Sequence, residues 1–135
     1  MAAELGASAE KMVADGKGIL AADESSGTIK KRFDAIGVES TEENRRDYRE
    51  LMFRSEAMTK YISGVILYEE TIRQKAKDGT PLVSLIQQAG SIPGIKVDAG
   101  AKPQPAFPGE TITEGLDGLA GRLKEFYDLG ARFAK

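Results

Sequence analysis

The sequence contains neither cysteine nor histidine in its 135 residues. Without cysteine, the chain has no disulfide framework, no thiol nucleophile and no zinc ribbon. Without histidine, it lacks the most common metal ligand and the most common general base near neutral pH. Any chemistry performed by these residues must therefore use lysine, aspartate, glutamate, tyrosine or hydroxyl groups.

Long apolar runs and an excess of one charge are also missing. No run approaches the roughly 20 apolar residues that cross a bilayer, and the first residues lack the basic and apolar regions of a signal peptide. Nineteen basic residues are interspersed with 21 acidic ones, for a net charge of -2. Such a chain presents no polycationic face to a nucleic-acid backbone. We expect a cytoplasmic protein with no membrane or nucleic-acid partner.

Four short apolar runs predict buried strands, and segments with helical periodicity separate them. The predicted strands cover residues 18–23, 63–68, 94–98 and 131–135. Consecutive parallel strands need a crossover that returns over the sheet, so this alternation predicts an α/β fold. The length, with 41% hydrophobic and 30% charged residues, is that of one globular domain.

Two of the predicted helices have clear boundary signals. The first begins with a capping box formed by Ser40 and Glu43. The second is predicted to end at Gly130 in a left-handed cap, and the Pro/Gly-rich residues 101–109 predict an extended loop before it. The apolar residues expected on the inner faces are Tyr48, Leu51, Met52 and Met58 for the first helix, and Leu116, Leu119, Leu123, Phe126 and Tyr127 for the second.

Each predicted strand brings a charged residue to its carboxyl end, where α/β proteins place ligand sites. These residues are Asp23, Glu69, Asp98 and Lys135. Period-two alternation puts Lys96 and Asp98 on the same side of their strand. Because an unpaired buried charge is costly, both must be paired with each other, with neighbours or with a ligand. We favour an ion-pair or anion-binding role for Lys96.

The segment that follows the first strand has two interpretations. Ser25, Gly27 and Thr28 enter a predicted helix, where free amides, hydroxyls and the helix dipole suit a phosphate. A plain capping turn explains the same residues. Asp23 is either the N-cap of that helix or a functional carboxylate at a strand end. The basic residues 30–32 are most simply a solvated helix face.

Six segments along nearly the whole chain match one known pattern: residues 16–29, 41–49, 63–69, 94–98, 109–118 and 131–135. Together they resemble class I fructose-bisphosphate aldolases, and the Asp-Ala-Gly-Ala-Lys-Pro segment at 98–103 is similar to the bacterial branch. The resemblance implies a (β/α)8 TIM barrel, with residues 1–135 as the amino-terminal portion of this single domain and roughly its first four strands. It also implies cleavage of fructose 1,6-bisphosphate to dihydroxyacetone phosphate and glyceraldehyde 3-phosphate through a lysine Schiff base, without metal or cofactor.

The resemblance assigns roles to individual residues. Asp23 matches the aspartate that assists proton movement at the hydroxyl beside the broken C–C bond. Lys135 matches the lysine that stabilises charge next to the Schiff-base centre. The residues that match substrate- or phosphate-binding positions are Ser25, Thr28, Arg32, Arg45 and Lys96, of which the far phosphate of the sugar is held by Ser25, Thr28 and Lys96.

The length departs from the family pattern, because such a barrel takes about 250 residues. The resemblance implies that the catalytic glutamate, the Schiff-base lysine and a second phosphate-binding segment lie beyond Lys135, so that the chain alone is inactive. The whole protein is expected to be a homotetramer. Two alternatives stay open: a non-catalytic phosphate-binding half-barrel or fragment, and another Schiff-base sugar-phosphate lyase or transaldolase.

Overall fold

A computed structural model describes residues 2–135 and shows an α/β structure built on a four-stranded parallel sheet. The strands of this sheet, in spatial order, are β1 (Gly18–Ala22), β2 (Ile62–Leu67), β3 (Ile92–Ile95) and β6 (Phe133–Ala134). A separate antiparallel pair consists of β4 (Ala101–Pro103) and β5 (Thr111–Thr113). The predicted α/β class and the predicted number of parallel strands are confirmed.

Seven helices flank these strands within residues 2–135. They are α1 (Ala2–Met12), α2 (Ser26–Asp34), α3 (Glu42–Phe53), α4 (Glu56–Tyr61), α5 (Glu69–Arg73), α6 (Leu82–Gln88) and α7 (Leu119–Asp128). The four parallel strands follow one another across the sheet in the same order as along the chain, which is the winding of an α/β barrel. None of these helices is both long enough and apolar enough to cross a bilayer.

The register of the parallel sheet aligns the carboxyl ends of its strands. Ala22 pairs with Leu67, Leu67 pairs with Ile95, and Ile95 pairs with Ala134. These four residues are the last of their strands. The residue that follows each strand therefore stands at one common edge of the sheet.

The hydrophobic core lies between this sheet and the helices that cover it. Its members from the strands and helices include Ala22, Val65, Leu67, Ile95, Phe53, Met58, Leu82, Ile86 and Phe126, all of them buried. On the other face, the Phe133 ring of β6 lies against two glycines. A Cβ on Gly64 would stand 3.2 Å from this ring, and one on Gly94 would overlap it. Because these two glycines have no side chain, β2 and β3 leave room for the ring.

The third parallel strand differs from the predicted one. It begins at Ile92 and ends at Ile95, so Lys96 and Asp98 follow the strand rather than lie within it. Pairing continues irregularly beyond that end: the Lys96 N–H donates to the Leu67 carbonyl at 2.9 Å, and the Val97 N–H donates to the Lys135 carbonyl at 3.1 Å. The backbone of Lys96 is thus still tied to the sheet.

The predicted start of α3 is wrong by one residue. The N-cap is Thr41, whose Oγ1 accepts the Asn44 N–H at 3.1 Å. The helix also ends at Phe53, and Met58 belongs to α4, which has its own N-cap at Ser55. The buried residues of α3 are Arg49 and Phe53, and Leu51 lies off this face and is 74% exposed.

The end of α7 is as predicted, whereas its apolar stripe is not wholly buried. Gly130 has a φ of 111°, its N–H donates to the Tyr127 carbonyl, and the next N–H donates to the Phe126 carbonyl, which is a Schellman cap. Of the stripe, Phe126 is buried, but Leu116, Leu123 and Tyr127 are exposed. Their burial was wrongly expected: Leu116 lies before the start of α7, and Leu123 and Tyr127 line a cavity, together with Leu5 of α1, instead of packing into the core.

The Pro/Gly-rich segment forms a hairpin rather than an extended loop. Ala101 pairs with Thr113, and Pro103 pairs with Thr111. Its side chains are largely exposed, so backbone pairing and not burial holds the segment in place.

Replacing Gly94 with alanine is expected to lower the free energy of unfolding by about 1 to 3 kcal/mol, because the added methyl group overlaps the Phe133 ring. Gly121→Ala in α7 is the matched control: a Cβ there meets no atom within 4 Å, so a neutral or stabilising effect of up to about 1 kcal/mol is expected. Urea denaturation followed by circular dichroism measures both. Equal stability of the two variants would contradict this packing of β6.

Candidate active site

The residues that directly follow the four parallel strands line one cavity. Asp23, Tyr68, Lys96 and Lys135 come after the aligned strand ends and all border a space of about 640 Å³. The other residues lining this space are Ala21, Glu24, Ser25, Thr28, Arg32, Asp98, Ala99 and Gly100. The cavity therefore combines two lysines, an arginine, three carboxylates and three hydroxyl groups, which is a donor set suited to an anionic, hydroxylated ligand.

Asp23 and Lys135, which both line this cavity, form an ion pair. The Lys135 Nζ lies 2.6 Å from the Asp23 Oδ2, although the two residues are 112 positions apart. Two strands separate β1 from β6, and in a flat sheet their axes would be about 14 Å apart. Direct contact between their side chains therefore requires the sheet to curl, as it does in a barrel.

The carboxylates beside Lys135 keep its amine charged. The hydrogen bond to Asp23 raises the pKa of Lys135, the charges of Asp23 and Asp98 add to this effect, and partial burial opposes it. Any lysine near its ordinary pKa of 10.5 is an ammonium group at neutral pH, and the raised pKa of Lys135 lowers the fraction of free amine further. In this state it stabilises negative charge well but is not a free amine that can attack a carbonyl.

Lys96 is paired with Asp98, one of the arrangements predicted for it. Its Nζ donates to the Asp98 Oδ1 and, at 3.2 Å, to the Asp98 carbonyl. The Gly100 N–H also donates to the Asp98 Oδ1, and together the Lys96 and Gly100 hydrogen bonds lower the pKa of Asp98. An ammonium has three donors, so Lys96 has one left for a ligand in the cavity.

Ser25 and Thr28 begin α2 at the border of the cavity. Ser25 is the N-cap, and its Oγ accepts the Thr28 N–H at 3.4 Å and lies 3.1 Å from the Thr28 Oγ1. The alternative in which Asp23 caps this helix is therefore wrong, and Asp23 is left for its pair with Lys135. The start of the helix places backbone donors, two hydroxyls and the positive end of the helix dipole at the cavity.

The two arginines predicted from the sequence lie in different places. Arg32 borders the cavity, where it is ion-paired with Glu24 and donates to the Tyr48 hydroxyl at 3.3 Å. Arg45 does not border it: its guanidinium is held by both oxygens of Glu70, at 2.8 and 2.5 Å, and by the Ser40 carbonyl. Of the seven residues predicted for the site, the structure thus brings six together and leaves Arg45 outside.

Of the carboxylate and hydroxyl side chains that line the cavity, two lie outside the set predicted from the sequence. Tyr68 stands at the end of β2, where Glu69 was expected; Glu69 instead begins α5 and pairs with Arg73. Glu24 follows Asp23 and holds Arg32. The sequence signal for Tyr68 is its position directly after an apolar run. The last residue of the strand in that run becomes clear only from the pairing of β2 with β1 and β3.

The sequence is closely similar to known aldolases. A family model described as fructose-bisphosphate aldolase class-I matches residues 4–135. The probable fructose-bisphosphate aldolase class 1 of Xanthomonas campestris pv. campestris is 59% identical over 132 residues, which is 98% of this chain and 40% of the relative. Fructose-bisphosphate aldolase 1 of Toxoplasma gondii is 57% identical over 135 residues, 100% of this chain and 37% of the relative.

A solved structure agrees with the fold as well. Fructose-bisphosphate aldolase from Plasmodium falciparum, crystallised with TRAP and a small-molecule inhibitor, superposes with a TM-score of 0.95 at 56% sequence identity. The match covers 98% of this chain and 38% of that one. The likeness confirms the predicted TIM-barrel fold, and the chain spans about 40% of the length of the relatives it matches. Assignment to the bacterial branch stays a prediction, because bacterial and apicomplexan relatives are almost equally similar.

Replacing Asp23 with asparagine is expected to lower the pKa of Lys135, because the carboxylate that raises it is removed. The raised pKa also means that the pair stabilises the fold below the ordinary lysine value of 10.5 and that this contribution is lost as the pH rises through the raised pKa. The pH dependence of Lys135 acetylation by acetic anhydride, read by peptide mass spectrometry, measures the change.

Asp34→Asn is the matched control for this substitution, since it removes a carboxylate from an exposed pair with Lys30 on α2. It should leave the Lys135 titration as it is. A Lys135 pKa that is the same in all three proteins would show that the Asp23–Lys135 contact does not exist in solution.

Proposed function

The chain belongs to the class I fructose-bisphosphate aldolase family, and on this basis we propose that it is the amino-terminal portion of a single TIM-barrel domain that cleaves fructose 1,6-bisphosphate. The products are dihydroxyacetone phosphate and glyceraldehyde 3-phosphate. The observation that supports this most strongly is the Asp23–Lys135 pair within one cavity at the carboxyl ends of the barrel strands.

Aldol cleavage needs a base at the hydroxyl beside the bond that breaks. The Asp23 carboxylate takes this role: it accepts the hydroxyl proton as the oxygen forms a carbonyl and the C–C bonding electrons pass to the nitrogen of a lysine Schiff base. The Schiff-base lysine is proposed to lie in the part of the relatives that this chain does not span. Lys135 does not fit that role, since it is charged and held by Asp23.

Lys135 is proposed to stabilise negative charge while the substrate carbonyl is converted to the carbinolamine and then to the Schiff base. An ammonium fixed 2.6 Å from Asp23 is already oriented, so little reorganisation is needed when charge develops on the substrate oxygen. The same contact places the charge donor next to the base. Both groups can therefore act on one substrate, Lys135 at the carbonyl carbon and Asp23 at the hydroxyl-bearing carbon two bonds away.

The remaining residues of the cavity are proposed to bind the far phosphate of the sugar. Ser25 and Thr28 offer hydroxyl and backbone donors at the start of α2, and Lys96 offers its remaining N–H. Arg32 lies in the same cavity and retains donors besides those that contact Glu24 and Tyr48. Arg45 is proposed to contribute to substrate binding only indirectly, through Glu70.

Further properties are proposed from the family. The reaction uses no metal or cofactor, serves glycolysis and gluconeogenesis, and takes place in the cytoplasm in a homotetramer. The 135-residue chain alone is proposed to bind phosphate without cleaving the substrate, which is the half-barrel alternative considered from the sequence. Membership in this family favours the bisphosphate aldolase over a transaldolase.

Borohydride reduction tests the proposed reaction. In the full-length protein that contains this chain, sodium borohydride added with dihydroxyacetone phosphate is expected to leave a stable adduct on one lysine, detectable by mass spectrometry. Asp23→Asn should lower the cleavage rate by roughly 100- to 10,000-fold, because a general base is lost. Absence of an adduct on the full-length protein, or an adduct on Lys135, would overturn the proposal. The 135-residue chain is the negative control.

Loss of the Lys96 ammonium tests the phosphate site. Lys96→Met is expected to lower kcat/KM for fructose 1,6-bisphosphate by roughly 10- to 100-fold, since a charged hydrogen bond to phosphate is lost. Fructose 1-phosphate, which lacks the far phosphate, should be affected much less. Lys30→Met, at an exposed ion pair on α2, is the matched control. Equal losses for the two substrates would place Lys96 elsewhere in the reaction.

A further inference from the structure

Arg49 is a fully buried arginine whose guanidinium reaches the segment around Asp23. It lies in α3, and none of its surface is exposed to solvent. Its Nε donates to the Ala22 carbonyl at 3.3 Å, and its Nη2 donates to the Glu24 carbonyl at 2.7 Å. These two carbonyls belong to the residues on either side of Asp23. A single rigid guanidinium thus holds the backbone both before and after the proposed base.

Two carboxylates lie near this guanidinium, but neither is close enough to form a hydrogen bond with it. The Glu24 Oε2 lies 3.7 Å from the Arg49 Nη2, and the Glu70 Oε2 lies 4.0 Å from the Arg49 Nη1. Glu24 is in turn paired with Arg32, and Glu70 with Arg45. The side chains thus alternate in charge along one series: Arg32, Glu24, Arg49, Glu70 and Arg45. Arg49 lies at its centre, and the cavity residue Arg32 lies at one end.

The arrangement is not the one that stability alone would favour. Burial lowers the pKa of Arg49, and the neighbouring carboxylates oppose this shift. The Arg49 Nη1 and the Glu24 Oε2 are both buried without a hydrogen bond. Each such atom costs free energy, and a well-packed apolar side chain at a buried ion-pair position is often at least as stable. A role in orienting the backbone around Asp23 explains why this buried position carries an arginine.

We propose that Arg49 is a positioning residue that orients Asp23, toward Lys135 and toward the substrate hydroxyl, by holding the carbonyls of Ala22 and Glu24. Arg49 itself does not line the cavity and touches no reacting atom. Its effect on catalysis rests on the proposed aldolase function, whereas its effect on the Asp23–Lys135 pair does not. The chain therefore allows the two effects to be tested separately.

Arg49→Lys and Arg49→Gln remove the bridge between the two carbonyls, because neither side chain offers two separate N–H groups with the span of Nε and Nη2. Arg49→Lys keeps the charge between Glu24 and Glu70. The matched control is Arg46→Lys on the same helix, where the guanidinium is ion-paired with Asp47 and Glu43. Near-ultraviolet circular dichroism of the full-length proteins establishes which variants are folded.

The first measurement is independent of enzymatic activity. Acetylation of Lys135 by acetic anhydride, followed over pH, reports its pKa. Both Arg49 variants are expected to lower this pKa toward the value in Asp23→Asn, because a displaced Asp23 no longer accepts the Lys135 hydrogen bond. Arg46→Lys should titrate as the unchanged protein does.

The second measurement separates positioning from simple loss of structure. In folded Arg49→Lys, kcat for fructose 1,6-bisphosphate is expected to fall roughly 10- to 100-fold with KM nearly unchanged, since a shift of about 1 Å in a catalytic group has this effect. In the Asp23→Asn background, the same substitution should cause no further loss of kcat, because the group it positions has gone.

The outcomes distinguish this inference from the proposed function. A full-length protein without aldolase activity refutes the proposed function, and the Lys135 titration still decides the role of Arg49. An unchanged Lys135 pKa in folded Arg49 variants, or equal losses of kcat with and without Asp23, would reject the positioning role. If neither Arg49 variant folds, Arg49 is a requirement of the fold alone and the positioning role is likewise rejected.

Discussion

The contact between Asp23 and Lys135 depends on one constraint, the common register of the four parallel strands. Ala22, Leu67, Ile95 and Ala134 pair in a row across the sheet, so the residue after each strand stands at the same edge. The sheet must also curl, because about 14 Å separates the outer strands in a flat sheet. A shift of one residue in any strand would send its terminal side chain to the other face. The cavity is thus a consequence of strand pairing before it is a consequence of particular side chains.

The charged groups of the site are kept in place by other charged groups. Asp23 pairs with Lys135, Asp98 pairs with Lys96, and Glu24 pairs with Arg32. Such pairing spares the nearly buried carboxylates of Asp23 and Glu24 the cost of an isolated buried charge. It also orients them before a ligand arrives, which reduces the reorganisation needed for binding and for catalysis. The buried Arg49 extends this principle from side chains to the backbone on both sides of Asp23.

Much of the fold could be predicted from the sequence, because strands and helices differ in the spacing of their apolar residues and in their end signals. The first strand, predicted over 18–23 and observed over Gly18–Ala22, and the cap at Gly130 show this. The boundaries of the third strand were displaced because its pairing begins at Ile92 and Pro93, residues whose partners lie in β2. Likewise, Leu123 and Tyr127 have the spacing of core residues, yet spacing cannot state whether another layer covers them.

Sequence alone determined which chemistry was available: lysines, carboxylates and hydroxyls at the ends of parallel strands, without cysteine or histidine. It also identified six residues that border the cavity, through local patterns and through resemblance to one family. Only the tertiary structure decided that Arg45 is held by Glu70 outside the cavity, that Tyr68 takes the position expected for Glu69, and that Arg49 grips the backbone around Asp23. These contacts join residues that are far apart in the chain. The spacing of neighbouring residues carries no information about which distant side chains will contact them.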